Sequence, residues 1–205
     1  MAMAPGESRR RRGLGTLALI FAVCVIPFAA SYLVYYLWPP QSRMNYGTLI
    51  DPRPFPAAPL ERLDGPGFSI VELRGRWVML QVDSSGCSEP CRRKLYQMRQ
   101  VRRTQGREMG RIERVWLVRD DGPVEPALLR EYGGTHIARA GSAMLSALPA
   151  EHDAADHIYL IDPLGNLMLR FPKDADPTLM KKDLGRLLKV SNVRAGASPS
   201  ASHAR

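Results

Sequence analysis

Hydrophobic residues fall along this chain in three rhythms, and each predicts a different kind of element. Residues 13–38 contain no charged side chain. As one helix they would extend about 39 Å, enough to cross a hydrocarbon core of about 30 Å. Further on come short blocks with strand character: residues 68–73, which alternate; residues 77–82, apolar nearly throughout; residues 111–119, centred on Val115-Trp116-Leu117-Val118; and residues 157–161 with 167–171. Between them the spacing turns helical. Cys91, Leu95, Met98 and Val101 share one face of a helix over residues 90–104. Met180, Leu184, Leu187 and Leu188 share one face of a last helix, opened by Asp176 as cap and Pro177 in the first turn. Residues 125–132 and 143–148 suit short helices, and residues 136–138 an edge strand or loop.

These elements divide the chain. Arg9, Arg10, Arg11 and Arg12 flank the apolar run, and by the positive-inside rule they keep residues 1–12 as a cytoplasmic tail. Tyr32, Tyr35, Tyr36 and Trp38 gather at the other end, where an aromatic belt belongs. Pro27 bends such a helix without breaking it. The competing reading is a signal peptide cut near Phe28-Ala29-Ala30. A signal core runs about 7–15 residues; this run is longer and continues past the candidate cut, which favours an uncleaved anchor over residues 13–38. The chain is then a single-pass protein of the inner (plasma) membrane, with everything after Pro39 outside the cytoplasm. In a bacterium that is the oxidising periplasm. Residues 39–59 carry prolines at 39, 40, 52, 54, 56 and 59. They exclude continuous helix and central strand and read as an extended stalk, of which residues 45–50 can pack on the domain. Residues 60–190 form the domain and residues 191–205, rich in Ala and Ser, a disordered tail.

The domain's element order is β-hairpin (68–73 with 77–82), cysteine loop, helix, strand, helix, strand, turn, strand, helix. Together with the position of the cysteines, it predicts an α/β fold: a thioredoxin-like domain on an N-terminal single transmembrane helix. Charge adds little. The net charge is +9 over 205 residues, and its scatter, without aromatic interleaving, argues against a nucleic-acid partner. Three cysteines are too few for a disulfide scaffold, and Cys24 lies inside the apolar run as a small filler.

The chemistry concentrates at Cys87 and Cys91, spaced C-x3-C where a strand feeds a helix N-terminus. Exposed amides and the helix dipole there stabilise a thiolate, and Arg92, Arg93 and Lys94 push the same way. Near a helix start, an i, i+4 pair sets its Cα atoms about 6 Å apart, within the range a disulfide tolerates. The pair can be a reversible disulfide, with Cys87 attacking and Cys91 resolving, a static structural disulfide, or two soft ligands for one metal ion. His157 heads an apolar strand and His152 sits among Glu151, Asp153 and Asp156; either is a candidate third ligand. Glu89, between the cysteines, reads as exposed, and Asp120-Asp121-Gly122 as a turn.

At these residues the sequence resembles the Sco/SenC family, thioredoxin-fold proteins of cytochrome c oxidase assembly. Cys87 and Cys91 match that family's copper-binding cysteines. Asn45-Tyr46-Gly47 resembles an element that precedes its domain, and Tyr159-Leu160-Ile161-Asp162-Pro163-Leu164-Gly165 its later strand and turn. Two features depart. Ser88 and Arg92 follow the cysteines where the family has prolines, and Ala154 occupies the place of its histidine ligand, with His152 and His157 on either side. The resemblance implies a membrane-anchored periplasmic assembly factor. It would handle copper, or reduce copper-site cysteines, for an oxidase copper-site subunit or another assembly factor. A general periplasmic thiol-disulfide oxidoreductase, and an assembly scaffold with inert cysteines, are the alternatives.

The topology is open to direct test. A reporter that functions only after export, fused behind Arg205, is expected to be active, with the fusion retained in the membrane fraction. Recovery of a shortened soluble form would mean that residues 13–38 are a signal peptide.

Overall fold

The computed structural model describes residues 7–37, 45–63 and 65–196, and the chain divides into two units between Met44 and Asn45. The first unit contains helix α1, Glu7–Leu37, with Pro27 inside it. Its apolar side chains Ile20, Phe21, Ile26 and Phe28 are exposed. The side chains of α1 are described without a break over residues 19–33, a length of about 22 Å. Among the described residues no helix is long and apolar enough to cross a membrane.

The second unit is built on a sheet that has eight strands among the described residues, in the order β1-β8-β7-β4-β5-β6-β2-β3. The strands are β1 (Thr48–Pro54), β2 (Pro59–Arg62), β3 (Phe68–Ser69), β4 (Trp77–Asp83), β5 (Ile112–Val118), β6 (His136–Arg139), β7 (Ile158–Ile161) and β8 (Asn166–Arg170). Among the described residues four α-helices accompany them: α2 (Glu89–Arg103), α3 (Pro126–Glu131), α4 (Ser142–Ser146) and α5 (Pro177–Gly196). Strands β4, β5 and β6 run parallel, and β7, β8 and β1 continue the sheet antiparallel. Every residue of β4 and β5 is buried, as near-continuous apolar strands require when both sheet faces are covered. Trp77 and Met79 face a core shared with Leu95 and Met98 of α2 and Leu184 of α5. Val78, Leu80 and Val82 face the other way, onto a core with Phe68, Leu73 and Met144. The two-residue period thus carries Gln81 and Asp83 onto the α2 face of β4, at its C-terminal end. This is a mixed α/β thioredoxin-like fold.

Four expectations change. The hairpin over 68–73 does not form. Ser69 and Glu72 make a capping box that starts a 3-10 turn, Ile70–Leu73, whose Ile70 and Leu73 are both buried. The neighbours of β4 are β5 and β7 instead. Strand β6 is not an edge, because β2 pairs with it on the side away from β5. The proline-rich stretch is not a stalk over its second half: Thr48–Pro54 pairs with β8 as an outer strand, where prolines are tolerated. Finally, α5 runs on to Gly196, and Ser191 accepts hydrogen bonds from Trp77 Nε1 (3.3 Å) and Arg111 Nη2 (2.8 Å), so the tail does not begin at 191. Residues 197–205 lie outside the described residues, as do residue 38 of the anchor and residues 39–44 of the stalk.

The unit's N-terminal end is fastened to α5. Asp183 is 2% exposed, and its Oδ2 accepts the amide N–H groups of Tyr46 (2.6 Å) and Gly47 (2.9 Å). The Tyr46 hydroxyl accepts from Asp176 N at 3.0 Å. A Cβ at Gly47 would collide with Leu169, so only glycine fits this approach. Asp183→Ala leaves two amides without their acceptor and is expected to destabilise the unit by about 2–3 kcal/mol. Urea unfolding would show a lowered midpoint; an unchanged midpoint would mean that the clamp carries no stability.

Candidate functional site

Polar residues at the end of β4 set up the site. After Asp83 the chain turns through residues 84–88 into α2, with Cys87 N donating to Ser84 O at 3.1 Å. Pro90 lies in the first turn of α2, where a missing N–H costs nothing. Cys87 and Cys91 are joined by a disulfide with Cα atoms 5.2 Å apart. Cys87 stands at φ 37, a left-handed conformation that costs a non-glycine residue about 1–3 kcal/mol and persists only where the surroundings enforce it. Two contacts do so. Arg92 Nε donates to Cys87 O at 3.2 Å, while its Nη2 pairs with Glu125 Oε2 at 3.3 Å. Asp120 accepts the Ser85 amide at 3.0 Å. The Ser85 bonds hold the Asp120 carboxyl below its ordinary range, so the acidic turn over 120–122 also braces the cysteine loop.

The pair is buried. Cys87 is 1% exposed and Cys91 0%, so the N-terminal sulfur is not the open nucleophile that its loop position suggests. Beneath Cys91 lies a polar cluster. Lys94 Nζ donates to Asp83 Oδ2 at 2.6 Å and to the Ala155 carbonyl. Gln81 Nε2 lies 3.4 Å from Asp83 Oδ2 and 3.5 Å from Cys91 Sγ, within reach of both. Burial raises the Asp83 carboxyl above its ordinary value, and the Lys94 ammonium only partly opposes this. The result is a carboxyl that takes up a proton more readily than a free aspartate, linked through one amide to the resolving sulfur. Lys94 also lines a cleft of about 270 Å³ with Pro90, Arg93, Gln97, Lys173 and Asp174.

Sequence reasoning found the two cysteines, counted Lys94 only as one of three nearby charges, and missed Gln81 and Asp83. A signal was present. Residues 77, 79, 81 and 83 share one strand face, and Lys94 falls on the Cys91–Leu95–Met98 face of α2. Polar groups in those rows must be buried, and buried charge needs a partner.

The histidines fare differently. His152 is exposed. His157 is half-buried, with Nδ1 2.9 Å from Phe171 O. A carbonyl only accepts, so Nδ1 carries the proton and the lone pair sits on Nε2. Among the described residues no three His, Cys, Asp or Glu side chains are grouped to hold a metal ion. The set Cys87, Cys91 and either histidine is therefore not assembled here. Glu89 is exposed.

A family model described as "Transmembrane-like, thioredoxin-like, C-terminal domain" matches residues 77–191. No curated protein matches the chain. Solved structures share its fold at low identity. Yeast Sco1 with copper bound is 18% identical, with TM-score 0.54 over 74% of this chain and 99% of that one. Copper-bound ScoI of Bradyrhizobium japonicum is 18% identical, with TM-score 0.50 over 67% and 99%. The thioredoxin domain of a thiol-disulfide oxidoreductase from Bacteroides vulgatus is 14% identical, with TM-score 0.51 over 69% and 99%. The fold is thus Sco/SenC-like as well as thioredoxin-like.

Burial holds the His157 imidazole below its ordinary value of 6.5, against the Phe171 bond that raises it. The unfolded chain then binds a proton first. The stability contributed by the neutral ring is complete above pH 6.5 and is lost as pH falls from there through the lower folded value. The urea midpoint is expected to fall between pH 7.5 and 5.5 by more in the wild type than in His157→Gln. Equal slopes would refute a buried neutral ring.

Proposed function

The chain belongs to the transmembrane-like, thioredoxin-like C-terminal domain family, and from that membership we propose that it is a membrane-anchored thiol-disulfide exchange protein acting through Cys87 and Cys91. The observation that carries this reading is the cysteine pair at the β4–α2 turn, with the Gln81–Asp83–Lys94 cluster against Cys91. In the reduced protein, the Cys87 thiolate attacks a partner disulfide and one partner thiolate leaves. Cys91 then gives up its proton, and its sulfur attacks Cys87 Sγ. The Cys87–Cys91 bond forms as the mixed disulfide breaks, and the second partner sulfur leaves. Two electrons pass to the partner, and its two thiolates take up protons from solvent. Asp83 receives the Cys91 proton through a water admitted as the loop opens, because the Gln81 amide between them passes no proton; that amide, donating toward the sulfur, stabilises the thiolate as it forms. The helix dipole of α2 adds to this. Because burial closes both sulfurs in the oxidised state, the Arg92 and Asp120 braces must yield for a partner to reach Cys87.

The partner in this reading is a copper-site subunit of cytochrome c oxidase, or another factor in its assembly, met at the periplasmic face of the inner membrane. The Sco/SenC-like fold, the family's transmembrane-like description and the apolar run over 13–38 support it. Copper handling is the second reading. Two soft thiolates suit Cu(I) as cargo, the similar Sco structures contain copper, and the bond to Phe171 leaves His157 Nε2 free of a proton, the tautomer a ligand needs. With the histidines apart from the sulfurs, the residues present fit a two-thiolate carrier rather than a trigonal site.

One reaction separates the readings. The reduced full chain, held in neutral detergent, is mixed with a peptide bearing a C-x3-C disulfide. Cys91→Ser is expected to trap a mixed disulfide at Cys87, visible by mass spectrometry. Asp83→Asn is expected to slow release of the peptide dithiol about 100-fold. If no mixed disulfide forms, while the reduced chain takes up one Cu(I) that Cys87→Ser abolishes, copper handling replaces exchange as the function.

A further inference from the structure

Four arginines gather away from the cysteines, between the C-terminal half of α2, the middle of β5 and the end of α3. Arg114 is 4% exposed, on the face of β5 that carries Ile112 and Trp116 into the α2 core. Its Nη2 donates to Gly133 O at 3.1 Å. Its Nε and Nη1 are buried without a hydrogen-bond partner among the described residues. Arg99 repeats the pattern. Its Nη1 donates to Glu131 O at 3.0 Å and its guanidinium lies 5.0 Å from the Tyr132 ring centre, yet its Nε is also buried and unpartnered. Arg102 Nε donates to Ile112 O at 2.7 Å, and Arg103 is exposed beside it.

Carbonyls position these guanidinium groups and neutralise none of them. Among the described residues, none of the four forms an ion pair with a carboxylate. Glu113, the next residue to Arg114, is held by Arg76 and His136, and alternation puts it on the opposite sheet face. Glu131 is exposed and acts on the Tyr132 hydroxyl. The electrostatics register the imbalance: burial, then Arg102, Arg99 and Arg103, push Arg114 down to about 10. Cations in the last turn of a helix offset its dipole, which accounts for Arg102 and Arg103. It does not account for a buried arginine on a strand with two unmade bonds. Buried charged donors without partners are strongly disfavoured and point to a group not in view.

We infer that this cluster is a binding site for a phosphate-type oxyanion, free or as a phosphate ester. The unpartnered donors, all buried, come from a helix (Arg99 Nε) and a strand (Arg114 Nε and Nη1). A tetrahedral oxyanion offers acceptors to both, whereas a carboxylate offers two oxygens in one plane. A phosphate ester can come from solution or from an anionic lipid headgroup, and the test separates them.

Inorganic phosphate is titrated calorimetrically into the full chain in neutral detergent, at constant ionic strength set with chloride. In a second arm the micelles carry phosphatidylglycerol, with phosphatidylcholine as control. Saturable binding of inorganic phosphate identifies a soluble source; a response to phosphatidylglycerol alone identifies the headgroup. Either supports the site, provided that Arg99→Gln weakens it about tenfold or more and Arg114→Gln removes it. Arg99 is partly exposed, so that variant tests the site even if Arg114→Gln fails to fold. No binding in either arm overturns the proposal. So does binding undiminished in Arg99→Gln, or a response to poly-glutamate and to no phosphate.

Discussion

The Lys94–Asp83 pair is the constraint on which the site depends. A lysine on the buried face of α2 and an aspartate on the buried face of β4 can remain only if they meet, and they do so at 2.6 Å. That contact fixes where the first turn of α2 sits over the end of the strand, and the bond from Lys94 to the Ala155 carbonyl ties in the segment before β7. Cys91 lies one helical turn before Lys94, so the same contact sets the sulfur against Gln81. Replacing the pair with apolar residues would be tolerable energetically. Its presence beside a disulfide is better explained by proton handling than by stability.

Much of this was legible in the sequence. The buried strands β4, β5 and β7 announced themselves as short apolar blocks, and α2 and α5 as stripes of helical period. C-x3-C at a strand-to-helix turn located the site from residue spacing alone. What escaped was set by contacts distant in sequence. Residues 68–73 alternate like a strand, but a local capping box won. Residues 48–54 look like linker because of their prolines, yet an outer strand needs hydrogen bonds on one side only. The docking of Tyr46 and Gly47 on Asp183 joins residues 136–137 positions apart, beyond the reach of any periodicity. The histidines raise a related point: position along the chain near Ala154 says nothing about distance to a sulfur.

Burial of both sulfurs separates two kinds of disulfide. A structural bond would be sealed by apolar packing alone. Here the loop is held by polar braces at its rim, Arg92 on the Cys87 carbonyl and Asp120 on the Ser85 amide, while Cys87 stands in a strained backbone conformation. Both braces are part-buried hydrogen bonds, each of modest net strength, and their release would relieve that strain without opening the core formed by Leu95, Met98 and Trp116.

The claim that this disulfide is a working redox couple meets its most direct test in an equilibrium titration of the full chain against thiol–disulfide buffers, with alkylation and mass spectrometry at each potential. Cys87 and Cys91 are expected to convert together in one reversible two-electron step, with a tenfold change in ratio for each ~30 mV, while the far-ultraviolet circular dichroism stays native. A bond that resists reduction until the domain unfolds would mark a static staple and contradict the account.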